Sequence, residues 1–74
     1  MKVSYKKLWK LLIDKEMTKT DLRLKIGIST NTLTKLSKGE VVGTEILMRI
    51  CNYFNCDIGD IVEFIRENEV EEVK

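Results

Sequence analysis

The chain has 74 residues, no Pro, 4 Gly and 34% charged residues, which favours one compact, mostly helical domain with a small core. It has no His, no Gly-rich phosphate loop and no nucleophile beside a base, so an enzyme, a metal, a cofactor and a small-molecule ligand are not expected. The net charge of +1 combines +6 over residues 1–40 with −5 over residues 41–74, which predicts a basic pole suited to a polyanion.

No run of residues approaches the ~20 apolar positions of a membrane span, and no secretory h-region follows Met1. A cytoplasmic protein is therefore expected.

The first predicted helix begins after Ser4, which is placed to cap it, and ends near residue 14. Its apolar residues recur at the spacing of one buried helix face, and they are Tyr5, Leu8, Trp9 and Leu12. We interpret Trp9 as a core residue.

Residues 17–40 are predicted to form two short helices joined by a tight turn. Thr18 and Asp21 have the spacing of a capping box at the start of the second helix. Gly27 suits the left-handed position that follows a helix, and Ser29 offers an oxygen to the free N–H groups of the third helix. Two helices around a short Gly-containing turn are the helix-turn-helix arrangement, whose second helix enters the major groove of DNA.

A fourth helix is predicted at about residues 45–54, capped by Thr44 and ended by a left-handed Asn55. A fifth is predicted from residue 58 to about residue 66, because apolar residues recur there at helical spacing; they are Ile58, Ile61, Val62 and Ile65. Residues 67–74 are polar and acidic. We therefore expect one domain over residues 1–66, followed by a frayed or disordered tail at 67–74.

Two pairs of potentially reactive residues have simple structural interpretations. Asp57 and Asp60 stand before an apolar run at the spacing of a helix cap. Cys51 and Cys56 are the only cysteines, and a zinc site is not expected in a chain without His. We interpret them as small, buried or half-buried apolar residues, with a redox role as the alternative.

The third helix, at about residues 29–38, has an outer face without acids or large apolar groups. Asn can pair with adenine through two hydrogen bonds, Thr can contact thymine, and Lys can donate to guanine. Thr and Asn also cost up to ~0.7 kcal/mol each of helix propensity relative to Ala, which favours a functional reason for them over a merely solvated face. The base-reading candidates on this face are Thr30, Asn31, Thr34 and Lys35.

Phosphate contacts are expected from the ends of the same two helices. Lys19 lies in the first turn of the second helix, where its charge opposes the helix macrodipole and an anion is favoured. Ser29 and Lys38 stand at the two ends of the third helix and are the other candidates. Lys6 and Lys7 are not assigned a phosphate contact, because surface lysines are usually only solvated.

The chain resembles the short single-domain members of the Cro/cI-type (XRE-like) helix-turn-helix transcriptional regulators. The similar segments cover nearly all of residues 5–65 and include YKKLWKLLIDKEMTKTDLR, GISTNTLTKLSKGE and ICNYFNCDIGDIVEF. The resemblance implies an all-α, five-helix, lambda-repressor-like domain that binds double-stranded operator DNA. By position it implies phosphate contacts by Lys19 and Lys38, and base reading by Thr30, Asn31, Thr32 and Lys35. The loop at residues 40–43 departs from the basic loop common in the family.

The resemblance also implies a homodimer on an inverted-repeat operator. Phe64 and Ile61 are its candidate interface residues, from the fifth predicted helix. The predicted function is a transcriptional regulator that represses by occlusion. The alternative is a protein-interaction module, such as an antirepressor or an antitoxin-like partner, that keeps the fold without specific DNA binding. Salt dependence separates the two, because DNA binding releases counterions from phosphates.

Overall fold

The computed structural model describes residues 2–66, which form four α-helices, one 3-10 turn and a two-stranded sheet. No helix among these residues is long and apolar enough to cross a membrane. The tail predicted at residues 67–74 lies outside the described residues. In chain order the elements are β1 (Lys2–Ser4), α1 (Lys6–Asp14), α2 (Lys19–Ile26), α3 (Thr30–Ser37), α4 (Thr44–Phe54), the 3-10 turn (Ile58–Asp60) and β2 (Glu63–Ile65).

The mostly helical helix-turn-helix fold is confirmed, but the prediction of an all-α domain with five helices is wrong. In place of a fifth helix, the chain makes the 3-10 turn and then β2, which pairs antiparallel with β1. The register joins Val3 to Phe64 at the centre of the ladder. Gly59 weakens a helix, and the segment after residue 60 is rich in β-branched and aromatic residues, which favour a strand once a partner strand is available.

The start of the first helix also differs from the prediction. Ser4 ends β1, and α1 begins at Lys6 with Tyr5 as an N-cap that makes no side-chain hydrogen bond. The Ser4 side chain is buried, at 8% exposed, and its Oγ accepts a hydrogen bond from the Lys6 N–H at 3.3 Å. The hydroxyl therefore still binds a free N–H at this helix end, although its residue belongs to a strand.

Most of the other predicted helix ends are confirmed. The Thr18–Asp21 capping box is formed in both directions, at 3.0 and 2.9 Å. The Ser29 side chain caps α3, and Asn55 is left-handed after α4. Asp57 and Asp60 form a capping box on the 3-10 turn instead of on a long helix. Thr44 is the first residue of α4 rather than its cap, which is Gly43.

One small core joins the helices to β1 and the 3-10 turn. Its buried residues are Tyr5, Leu8, Leu12, Leu22, Ile28, Leu36, Ile50 and Ile61. Leu36 is 0% exposed and anchors the inner face of α3. The Tyr5 hydroxyl donates to the carbonyl oxygen of Glu40 at 2.7 Å, which ties α1 to the loop after α3, and burial raises the pKa of Tyr5. The core therefore fixes the position of α3 relative to α1.

Candidate nucleic-acid interface

The turn between α2 and α3 is held by backbone conformation and by a side chain from α4. Gly27 has φ +71°, and its N–H donates to the carbonyl of Arg23 at 2.9 Å. The guanidinium of Arg49 donates to the carbonyl of Gly27 at 3.1 Å and pairs with Glu45 at 3.2 Å. Arg49 thereby binds a carbonyl at the end of α2, where backbone acceptors lack helical partners. Sequence reasoning missed Arg49, because it contacts residues 22 and 23 positions away.

The outer face of α3 carries exposed polar side chains. Within residues 2–66, Asn31, Lys35 and Lys38 have no side-chain hydrogen bond to the protein, and Thr34 Oγ1 donates only to the carbonyl of Thr30 on its own helix, at 3.0 Å. An amide and two ammonium groups are thus free to bind an external partner. The four base-reading candidates predicted on this face are exposed, as is the phosphate candidate Lys38; the four are Thr30, Asn31, Thr34 and Lys35.

Thr32 and Ser29 differ from the other predicted contact residues. Thr32 is half-buried, and its N–H donates to Ser29 Oγ at 3.1 Å. The two hydroxyl oxygens lie 3.0 Å apart. Ser29 Oγ therefore caps α3 by accepting from a backbone N–H that has no helical acceptor. The Thr32 hydroxyl lies within hydrogen-bond distance of this cap. Ser29 is itself exposed, so its hydroxyl also remains open to a ligand.

Lys19 lies between α1 and the far end of α3. Its Nζ is 4.2 Å from the centroid of the Trp9 ring and 3.4 Å from Ser37 Oγ. The face of an indole ring attracts a cation, so the ammonium group is held beside the carboxyl end of α3. Trp9 is half-buried and packs on the core, as predicted, but it also positions a cation. This contact joins different helices, so no local sequence pattern predicts it.

The capping box beside Lys19 depends on the charge of Asp21. Hydrogen bonds from the Thr18 backbone and then its side chain, with Lys25 as a smaller electrostatic cause, lower the pKa of Asp21 below its ordinary value, against a small opposing effect of burial. A carboxyl whose pKa is lowered by folding stabilises the fold above its unfolded pKa, and this contribution is lost as the pH falls through the folded pKa. The start of α2 is therefore weakened only in acid.

Two other predicted residues have clear positions. Lys7 Nζ donates to the carbonyl of Gly59 at 3.0 Å, which ties α1 to the 3-10 turn. Ile61, predicted at a dimer interface, is 0% exposed in the core of its own chain and is unavailable to a partner in this fold, so that assignment is corrected. Ile61 directly follows the 3-10 turn that replaces the start of the predicted fifth helix, and it packs there in the core. Phe64 is 69% exposed.

Comparisons with known proteins identify the family of this chain. The family pattern of the Cro/C1-type helix-turn-helix DNA-binding domain matches residues 7–67. The crystal structure of the transcriptional regulator VanUg is similar, with 53% sequence identity and a TM-score of 0.86 over 89% of this chain and 88% of that chain. No protein of curated function matches the sequence. The chain belongs to the Cro/C1-type helix-turn-helix DNA-binding domain family.

Proposed function

We propose that this DNA-binding domain is a sequence-specific transcriptional regulator that reads the major groove with α3. The observation that carries the proposal is the exposed row of Asn31, Lys35 and Lys38, whose polar groups have no hydrogen-bond partner within residues 2–66. Asn31 and Lys35 supply the hydrogen bonds that distinguish base pairs. Thr30 and Thr34 line the same face and contact base edges or thymine methyl groups. Thr32 contributes at the edge of this surface.

The phosphate contacts in this proposal flank α3. Lys19 is held beside the carboxyl end of α3 by Trp9 and Ser37, and Lys38 directly follows that helix. Ser29 lies at the opposite end of the same helix. Contacts at both ends of a recognition helix fix its register on the duplex, whereas contacts to base edges provide specificity.

Selection from a random duplex pool of ~25 bp tests the proposed function. We expect enrichment of an inverted repeat whose half-sites are about 10 bp apart, since a symmetric dimer places two recognition helices one DNA turn apart. Absence of enrichment, with weak retention that vanishes by ~0.2 M salt, indicates only non-specific contacts. That outcome contradicts the proposal and favours the protein-interaction module.

Replacing Lys19 with glutamine is expected to lower affinity equally for all DNA sequences. With about 5–6 phosphates contacted, log K should fall with log salt at a slope near −5, and removal of one phosphate contact reduces that slope by about 1. Binding titrations at several salt concentrations measure both quantities. Lys15→Gln is the matched control, because Lys15 is an exposed lysine after α1. An unchanged slope in Lys19→Gln removes Lys19 from the interface.

We further propose that two copies associate through an apolar surface at β2 and the 3-10 turn. Phe64 is 69% exposed, and Ile58 and Ile65 are 46% and 41% exposed. Phe64, Ile58 and Val62 line a shallow, mostly apolar recess beside Gly59. Interface centres are enriched in large aromatic residues, which makes Phe64 the expected anchor of the homodimer.

Phe64→Asp is expected to weaken dimerisation by ~30-fold or more, since buried aromatic anchors at interfaces contribute ~2 kcal/mol or more. Sedimentation equilibrium over a range of protein concentrations measures the change. Ile13→Asp serves as the control, because Ile13 is 73% exposed on α1. Circular dichroism checks that both variants remain folded. If Ile13→Asp dissociates the dimer and Phe64→Asp does not, the interface lies on α1 instead.

Repression by occlusion is the regulatory mode that this proposal favours. A small domain bound in the major groove at a promoter blocks the access of other proteins to that promoter, and it needs no second interaction surface to do so. A reporter with the selected inverted repeat inside the promoter should lose expression when the protein is present. The same repeat moved upstream of the promoter should have no effect, and increased expression there contradicts the mode.

A further inference from the structure

The turn at the end of α4 brings the two cysteines together. Asn55 is left-handed, with φ 55° and ψ 52°. The N–H of Cys56 donates to the carbonyl of Cys51 at 3.0 Å, and the N–H of Asn55 is 3.4 Å from the carbonyl of Asn52. This pair of bonds is a Schellman motif, in which the side chains at the positions of Cys51 and Cys56 frequently touch.

The hydrogen bond between the two cysteines limits the distance between their Cα atoms. With the N to O distance of 3.0 Å and ordinary backbone bond lengths, the Cα atoms of Cys51 and Cys56 are at most about 7 Å apart. A disulfide joins Cα atoms about 4.4–6.8 Å apart. Both thiols are free and half-buried. Burial, and secondarily the neighbouring Cys56, raises the pKa of the Cys51 thiol, so the two groups interact.

The two thiols differ in their access to solvent reagents. Cys56 lines an open recess between α1, α4 and the 3-10 turn, whereas Cys51 is absent from its lining. Three lysines line this recess, against two acidic residues, Asp14 and Asp60; the lysines are Lys7, Lys10 and Lys15. An anionic reagent is therefore attracted to the side from which Cys56 is reached.

We propose that Cys51 and Cys56 form a dithiol site that a small anionic disulfide of the glutathione class oxidises to an intramolecular disulfide. The Cys56 sulfur attacks one sulfur of the reagent, gives its proton to solvent and expels one small thiol. The Cys51 sulfur then attacks Cys56, loses its own proton and expels the second small thiol. The two protein thiols lose two electrons, and one small disulfide becomes two thiols.

Equilibration of the folded protein with mixtures of reduced and oxidised glutathione tests the site. After acid quenching and alkylation, intact mass should show a monomer that has lost two hydrogens and takes up no alkylating agent. The ratio of disulfide to dithiol should be at least ~10-fold higher in the folded chain than in the same chain in concentrated urea, because the fold holds the thiols together. An equal or lower ratio, a persistent glutathione adduct, or covalent dimers overturns the proposal.

Single variants test the order of attack. Cys51→Ser should accumulate the glutathione adduct on Cys56, because the second sulfur is missing. Cys56→Ser should react several-fold more slowly, and equal rates contradict the assigned order. Lys10→Gln should slow the reaction of the full dithiol with oxidised glutathione by ~2-fold, but not its reaction with the neutral hydroxyethyl disulfide. Equal slowing with both reagents contradicts the role of charge.

Discussion

Replacing Asn31 with alanine is expected to lower affinity for the selected operator by about 5- to 150-fold. A side-chain amide that makes two hydrogen bonds to one base contributes about 1–3 kcal/mol of discrimination, and 1.4 kcal/mol corresponds to about tenfold in affinity. The loss should be confined to one position of each half-site. Competition binding against operators with single base-pair changes measures it, and Asn31→Ala should no longer distinguish the base that Asn31 reads.

The same substitution is expected to leave the fold intact or to stabilise it slightly. Asn31 is exposed on α3, and its side chain has no hydrogen-bond partner within residues 2–66, so little is lost in the folded state. Alanine has a higher helix propensity than asparagine, by up to ~0.7 kcal/mol. Affinity and the free energy of unfolding should therefore change in opposite directions, which separates a contact residue from a residue that supports the fold.

Asn52→Ala is the matched control for this prediction. Asn52 is an exposed asparagine in the last turn of α4, so the chemical change is the same on another helix. We expect unchanged affinity and unchanged sequence preference for Asn52→Ala. If Asn31→Ala retains the wild-type preference at every position, α3 does not read bases through Asn31. If Asn31→Ala and Asn52→Ala both lose affinity, the loss comes from a disturbed fold and not from a lost base contact.

Local sequence signals were sufficient to predict the elements around the candidate interface. A capping box, a left-handed glycine and a serine N-cap each depend on residues within about four positions. All three are formed, by Thr18 with Asp21, by Gly27 and by Ser29. The outer face of α3 was predictable for the same reason, because side-chain direction on a helix repeats every 3.6 residues.

Features that depend on distant parts of the chain were not predictable in this way. The spacing of Ile58, Ile61, Val62 and Ile65 fits a helix, but pairing of β2 with β1 joins segments about 60 residues apart and overrides it. β-propensity depends strongly on such context. The contacts of Arg49 with Gly27 and of Lys19 with Trp9 have no local signal either. Long, flexible cations adopt such positions only when the tertiary structure provides an acceptor or a ring.

Leu36→Ala is expected to lower the free energy of unfolding by about 2–5 kcal/mol, the range for truncation of a buried leucine. Leu36 is 0% exposed and connects α3 to the core. For a domain of this size, 1 kcal/mol shifts the unfolding temperature by about 4–8 °C, so a shift of at least ~8 °C is expected. Thermal and urea unfolding followed by circular dichroism measure it.

Leu24→Ala is the control, because Leu24 is apolar in the sequence but exposed in the structure. Leu22, Leu24 and Ile26 are all apolar positions of α2, but Leu24 is 63% exposed and Leu22 is 0% exposed. Its truncation should change the free energy of unfolding by no more than ~0.5 kcal/mol. A cost equal to that of Leu36→Ala contradicts the orientation of α2, and with it the placement of Lys19 beside α3.

Because destabilised Leu36→Ala binds DNA only through its folded fraction, its affinity should recover on mild cooling, whereas that of Asn31→Ala should not.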